Sequence, residues 1–519
     1  MQKVENKLKS LQETPVRFSS QDVLSRSIHG NYELRVSGNP YEIGYKTGKL
    51  TDSLYQLQET FFFDKVAQMT GTPKKQRFLL KFLRWYNRDL IHFVPKEYQE
   101  EIYGLSQFNS SDLDSIASPF QRSMMLHGAH DIGHAMQDLM LVGCSSFALH
   151  GAYTKDESLW IGRNFDFYVS DDFAQNKIVS FVNPEKGYKY ASVTWPGMLG
   201  VVSGMNEKGL TVTINAGKSS IPLKAKMPIS LLAKEIVQFA STIEEAIEIA
   251  RNKQLFVSES ILIGSALDND AAIIEISPKK MDVVRSSDDL LICTNHFQST
   301  ILGNEKRNQK HKAASHSQYR YELLEEAFAK KSELNEIELA KTLRKTTGLQ
   351  NKQIGFGNEK ALNQLRAHHA VIFHPKTLRM WVSNNPYQLG AFDLYDLNDV
   401  FSGNENVLSS NFIPEDSFLK SEEFKNLALY RKLLNEIIAQ YSAKERIPLH
   451  KGTQLIAYNP EFWEAYYWAG KIAFEHENYV LAQTYFNQAL VKEVTTLQDV
   501  EQLNQWIKKC QQKTKKSQK

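Results

Sequence analysis

Cysteine is scarce in this chain of 519 residues: only Cys144, Cys293 and Cys510 are present. So few, so widely spaced, exclude a disulfide framework and a structural zinc site, and leave single thiols as the only sulfur chemistry on offer. Long apolar runs are also missing. No stretch approaches the roughly 20 apolar residues of a membrane span, and Met1 to Ser20 is too polar and mixed in charge for an export signal. Read as written, the chain stays in the cytoplasm; an export signal upstream of this start would send it to the periplasm.

Charge of one sign is lacking too. The 62 Lys and Arg against 59 Asp and Glu leave +3. Much of that excess lies in the tail from Lys508 to Lys519, a composition that reads as a solvated end rather than a nucleic-acid surface. There is no Gly-rich phosphate loop, no His-Glu-x-x-His and no paired Cys-x-x-Cys, so neither a cofactor nor a metal is expected. His127, His130 and His134, with Asp131, could share a helix face, but such histidines more often pack than ligate. His368, His369 and His374 flank a strand and read as structural.

What is present is a change of character at residue 144. Asn31 to Ser37 alternates like a strand and Gly38-Asn39-Pro40 turns into a helix; from Leu50 to Met140 the apolar spacing is mainly helical. Residues 1–143 therefore read as a helical block. After Cys144 come strands over 158–162, 178–182, 188–195, 200–203 and 210–215, read as one antiparallel meander. Helices over 229–240 and 242–252 follow, then strands over 260–264, 271–276, 281–285 and 290–294. Helices over 317–330 and 334–346 precede a hairpin from 370–373 to 379–382. Strands and helices in these alternating groups point to an α+β fold with two sheets between helical layers.

Residues 401–455 read as a connector with a helix. Over 456–512, Tyr466, Ala469, Gly470, Ala473, Ala482, Phe486 and Ala489 resemble one tetratricopeptide-like helix pair, with small residues where the helices cross. A single copy cannot bury its own faces and must cap or pack on something larger.

The stretch Leu141-Val142-Gly143-Cys144-Ser145-Ser146-Phe147 carries the chemistry. A thiol can attack the carbonyl of the residue before it, giving a thioester that water cleaves. Glycine on the acyl side minimises crowding and tolerates the strained backbone such attack requires. Cleavage would leave Cys144 with a free α-amine of pKa about 8, able to act as base for its own thiol. Arg163 and Asp166, i and i+3 at a strand end, could lower the thiol pKa and hold the amine; alone they read as a surface ion pair. Asn215 and Asn295 end apolar strands, where an amide can donate to an oxyanion or simply form a turn. Arg320 opens a helix after a polar loop.

Together Gly143-Cys144-Ser145-Ser146, Arg163-Asn164-Phe165-Asp166, Met205-Asn206-Glu207-Lys208-Gly209-Leu210 and Thr294-Asn295-His296-Phe297 resemble the autoproteolytic acyltransferases and hydrolases of the penicillin acyltransferase family. That family belongs to the N-terminal-nucleophile hydrolases and is related to choloylglycine hydrolases and acid ceramidase. The resemblance spans Tyr32 to Phe392. It implies a four-layer αββα sandwich over 144–400, with 1–143 as propeptide or α-chain that stays associated after cleavage between Gly143 and Cys144. It implies that Cys144 is the nucleophile, Arg163 and Asp166 its partners, Asn215 and Asn295 the oxyanion and positioning set, and Arg320 a later site arginine. The expected reaction is hydrolysis of a carbon–nitrogen amide bond in a small N-acylated molecule. Acyl-coenzyme-A-dependent N-acyl transfer, or a non-catalytic interaction protein on the same fold, are the alternatives.

Overall fold

The computed structural model of the chain describes every residue except 71, 115, 136–142, 168–170, 220–223, 286–287, 331, 404–410 and 518–519; some helical side chains, including those of His130, Asp131 and His134, are also not described. Leu141 and Val142, and all of the histidine set but His127, thus lie outside the described residues. Two compact units emerge: one of Met1–Gln309, Lys330–Ala340 and Ala367–Pro414, the other of Lys310–Ala329, Lys341–Arg366 and Glu415–Lys519.

Period-two alternation organises the first unit, because successive strand side chains point to opposite faces. Its strands are β1 (Val23–Arg26), β2 (Tyr32–Gly38), β3 (Ser145–Leu149), β4 (Trp160–Phe165), β5 (Ile178–Pro184), β6 (Tyr190–Thr194), β7 (Ser203–Asn206) and β8 (Leu210–Ala216). These continue with β9 (Glu259–Ser265), β10 (Asp270–Ile276), β11 (Met281–Arg285), β12 (Leu290–Cys293), β13 (His369–His374), β14 (Arg379–Ser383) and β15 (Phe392–Asp396). A nine-stranded sheet runs β1-β2-β5-β6-β7-β8-β9-β10-β11, and a six-stranded sheet runs β12-β3-β4-β13-β14-β15.

One face of the larger sheet offers Leu34, Val36, Ile178, Val182, Leu210, Val212, Ile214, Ile261, Ile263 and Ile274 to a single apolar cluster with the helices Pro40–Leu50, Lys96–Ser106, Pro119–Ala135, Ile229–Phe239 and Ile243–Arg251. The alternate residues, Val179, Phe181, Ala191, Val193, Met205, Leu262 and Ile273, form a second cluster with Ala148, Ile161, Leu291, Val371, Phe373, Met380 and Val382 of the smaller sheet. Sheet therefore packs on sheet through one parity and on helices through the other. The α+β class is as the element order implied.

Three readings change, the first being the strand expected over 200–203, which lies instead at Ser203–Asn206. The strand near 158–162 is not the first of the meander: as β4 it joins the six-stranded sheet, between β3 and β13. Residues 1–143 are not purely helical either. Their strand β2 pairs in parallel with β5, Tyr32 opposite Ile178 and Gly38 opposite Pro184, and builds part of the large sheet. Alternation over 31–37 gives a strand its period but says nothing of its partner, and a helix-rich neighbourhood hid that role.

The Met205–Leu210 motif is a hairpin turn. Gly209 has φ +74°, which favours glycine. The Asn206 side-chain oxygen accepts from the Lys208 and Leu210 amides at 3.0 Å each, and its Nδ2 donates to Val237 and Ala240 carbonyls. Asn206 so closes the turn and caps the end of the Ile229–Phe239 helix.

In the second unit, the helices Glu422–Ser442, Leu449–Tyr458, Trp463–Glu475, Tyr479–Val491 and Leu497–Ser517 surround a core that includes Tyr430, Ile437, Leu455, Ile472, Phe486 and Leu503. A Cβ on Gly470 would lie 2.6 Å from the Phe486 ring, so the helix crossing at that point has room for a hydrogen only.

Candidate active site

The strand parity that builds the sheet–sheet core also aims the site residues. Ser146 in β3, Arg163 in β4, Ser203 in β7, Asn215 in β8 and His369 in β13 all share the inward parity of Ala148, Ile161, Met205, Thr213 and Val371. Cys144 directly precedes β3 and is 1% exposed; Arg163 and Asn215 are 0% exposed. The idea of a surface ion pair at Arg163 and Asp166 is excluded by this burial, since Asp166 is only 2% exposed.

Arg163 reaches from the smaller sheet to the larger. It donates through one terminal nitrogen to the Val202 carbonyl at 2.5 Å and to Ser203 Oγ, and through the other to the Ile214 carbonyl. That second nitrogen also lies 3.8 Å from Cys144 Sγ, and the guanidinium sits 4.4 Å over the Phe165 ring. Burial draws the guanidinium below its usual range, while the charge and hydrogen bond of Cys144 act in the opposite direction. A guanidinium stays protonated through such shifts. A buried cation facing sulfur favours thiolate over thiol.

Asp166 follows β4, and its backbone carbonyl accepts from the Gly143 amide at 3.1 Å. Its carboxylate adds negative potential around Arg163. Asn215 stitches the two sheets: Ser146 Oγ donates to its Oδ1 at 2.9 Å, and its Nδ2 donates to the Cys293 carbonyl at 3.0 Å. Asn295, two residues beyond β12, donates through Nδ2 to the Ala216 carbonyl at 3.1 Å. Both amides are therefore held by backbone at adjoining strand ends, and each nitrogen carries a second hydrogen.

Cys293 ends β12 fully buried, and desolvation pushes its thiol far above the ordinary value. Such a thiol is a packing residue. Cys510, also buried, lies in the helix Leu497–Ser517. Arg320 belongs to the second unit, in the helix Ser317–Ala327, where its Nε donates to His316 Nδ1 at 3.2 Å.

Sequence reasoning passed over Ser203 and His369, which connect to Arg163. A signal was available: polar residues at the inward parity of apolar strands must find buried partners. Among the described residues, no cluster of His, Cys, Asp and Glu could hold a metal ion, and no helix is long and apolar enough to cross a membrane.

Residues 153–382 match the sequence model of the family described as acyl-coenzyme A:6-aminopenicillanic acid acyl-transferase. The resemblance drawn from the motifs is borne out over that stretch, which begins after Cys144. Similar curated proteins include an uncharacterized protein of Archaeoglobus fulgidus, 23% identical over 52% of this chain and 50% of its own length. Proteins dcd1B and dcd1A of Dictyostelium discoideum are 22% and 23% identical, over 49% of this chain and 52% and 60% of theirs. The chain thus spans about half the length of the curated relatives it matches. Similar solved structures include a Caenorhabditis elegans N-acylethanolamine-hydrolyzing acid amidase ortholog, 15% identical with TM-score 0.34, over 45% of this chain and 93% of that one. A mutant conjugated bile acid hydrolase from Clostridium perfringens is 15% identical with TM-score 0.32, over 52% of this chain and 95% of its own.

Proposed function

We propose that the chain is a self-processing cysteine hydrolase or acyltransferase that acts on amide bonds of small N-acylated molecules, with Cys144 as nucleophile. The observation that carries this reading is the buried Arg163 guanidinium, 3.8 Å from Cys144 Sγ, next to a Gly143 whose amide is held by Asp166. The family match over 153–382 supports the acyl-transfer class.

In processing, Cys144 sulfur adds to the Gly143 carbonyl carbon, the C–N bond breaks, and a thioester replaces the amide. Water then cleaves the thioester, releasing the Gly143 carboxylate and the α-amine of Cys144. In turnover, the thiolate adds to the substrate carbonyl with Asn215 and Asn295 as donors to the oxygen. The leaving amine takes its proton from the α-ammonium of Cys144, and an acyl thioester remains. Water finishes hydrolysis; an amine would finish transfer. Arg163 stabilises the thiolate throughout, and Asp166 orients the α-amine. Hydrolysis is preferred because it needs no second bound substrate. The fragments 1–143 and 144–519 stay together, since the first contributes β2 to the sheet.

Intact mass of the purified protein beside a Cys144→Ala variant tests the proposal. Two fragments from the wild type, the larger beginning at Cys144, and a single uncut variant without amidase activity are the expected result. Amidase activity retained by Cys144→Ala would overturn it.

A further inference from the structure

The Arg163 guanidinium does not stand alone behind Cys144. Ser203 Oγ accepts from it, and the same hydroxyl lies 2.8 Å from His369 Nε2. His369 Nδ1 in turn lies 2.8 Å from His368 Nδ1. All four side chains are completely buried, at 0% exposure. His368 packs among the rings of Phe165, Phe173 and Trp195, with centroids 5.6–6.2 Å away, and among the described residues its Nε2 has no hydrogen-bond partner.

The direction of every proton in this chain can be derived. A guanidinium only donates, so Ser203 accepts from Arg163. Burial, with Arg163 and Lys177 nearby, holds both histidines well below their usual range, so each is neutral and carries one proton. If His369 were protonated on Nε2, the Ser203 hydroxyl hydrogen would lose its acceptor. His368 would also point a bare nitrogen lone pair into aromatic surroundings. With the proton on Nδ1, Ser203 donates to His369 Nε2 and His369 donates to His368 Nδ1. The proton left on His368 Nε2 then lies among aromatic rings, whose π electrons are an acceptable if weak acceptor. This second arrangement satisfies the hydroxyl and is the one the geometry selects.

We infer that Ser203, His369 and His368 form a positioning relay that keeps the Ser203 oxygen turned toward Arg163 and so keeps the guanidinium against Cys144 Sγ. Each acts through Arg163, whose guanidinium faces the sulfur. The inference rests on the proposed role of Cys144 as a reactive thiolate, and extends it to residues no motif named.

The test reads the thiolate directly, independent of any substrate. Ultraviolet thiolate absorbance is titrated in wild type, with a Cys144→Ala variant subtracted to isolate this one thiol. His369→Phe keeps a ring but no polar atoms, and is expected to raise the Cys144 midpoint by about one pH unit. His369→Gln offers an acceptor and a donor again, and is expected to restore most of the shift. Ser203→Ala, a small change, serves if His369→Phe fails to fold, and is expected to shift the midpoint the same way. On substrate, His369→Phe is expected to lower kcat about 10-fold with KM nearly unchanged. A folded His369→Phe or Ser203→Ala with a wild-type midpoint would reduce the relay to packing and overturn the inference. Loss of the parent reading would look different: Cys144→Ala would then keep its activity whatever the midpoints.

Discussion

The backbone carbonyl of Asp166 accepts a hydrogen bond from the Gly143 amide at 3.1 Å. The contact fixes the residue on the acyl side of the proposed scissile bond, and it is made by backbone on both sides. The Asp166 carboxylate faces Arg163 electrostatically instead. One residue thus holds Gly143 with its main chain and biases the charge around Arg163 with its side chain.

These two roles separate in Asp166→Asn. The backbone contact survives, so cleavage between Gly143 and Cys144 is expected within about 10-fold of the wild-type rate, while amide hydrolysis falls about 100-fold as the Cys144 α-amine loses its anion. A time course of intact mass against turnover on one N-acyl amide checks this. Equal losses in both would show that the carboxylate serves cleavage too.

The fragments on either side of Gly143 share more than the β2–β5 pair. Lys234 and Glu101 form a buried ion pair, the Leu199 amide donates to His127 Nε2 at 3.0 Å, and Tyr98 Oη donates to Gln238 at 3.2 Å. Processed protein is therefore expected to elute as one species without denaturant. Lys234→Met strands a buried Glu101 and should cost about 3 kcal/mol in a urea titration. Adding Glu101→Leu to that variant should recover part of the loss.

Lys177 supplies a pH dependence of known sign. It is buried, its Nζ donates to the Ser383 carbonyl at 2.6 Å, and desolvation draws it down to about 7 from 10.5. Between those values the unfolded chain binds a proton that the folded chain does not, so stability rises with pH across that window and levels off above it. Below it, both states are charged and the full cost of burying the cation remains. Tm should rise from pH 7 to pH 10 by this contribution, and Lys177→Met should flatten the rise.

At Gly470 the second unit has no spare room. A Cβ there would meet the Phe486 ring at 2.6 Å, so Gly470→Ala is expected to destabilise that unit by about 1–3 kcal/mol. A Tm equal to wild type would show that the two helices can part without cost.

Local pattern carried a good deal of this molecule. Alternation and helical spacing located Glu259–Ser265, Asp270–Ile276, Ile229–Phe239 and the 369–383 hairpin to within a residue or two. The glycine before Cys144, and the change from helical to alternating spacing after it, singled out that thiol from the other two. The Ser145–Leu149 strand stayed hidden behind its motif, and Phe392–Asp396 was not read as a strand.

What the sequence by itself determined is which residues could do chemistry and which period each segment follows, because both are set by side chains a few positions apart. The tertiary structure decided partners. Tyr32 meets Ile178, Arg163 crosses from one sheet to the other, Asn215 spends its oxygen on Ser146, and His369 stands behind Ser203. Each of those pairings joins residues distant in the chain, and a strand's alternation fixes which face a side chain takes without fixing what lies across from it.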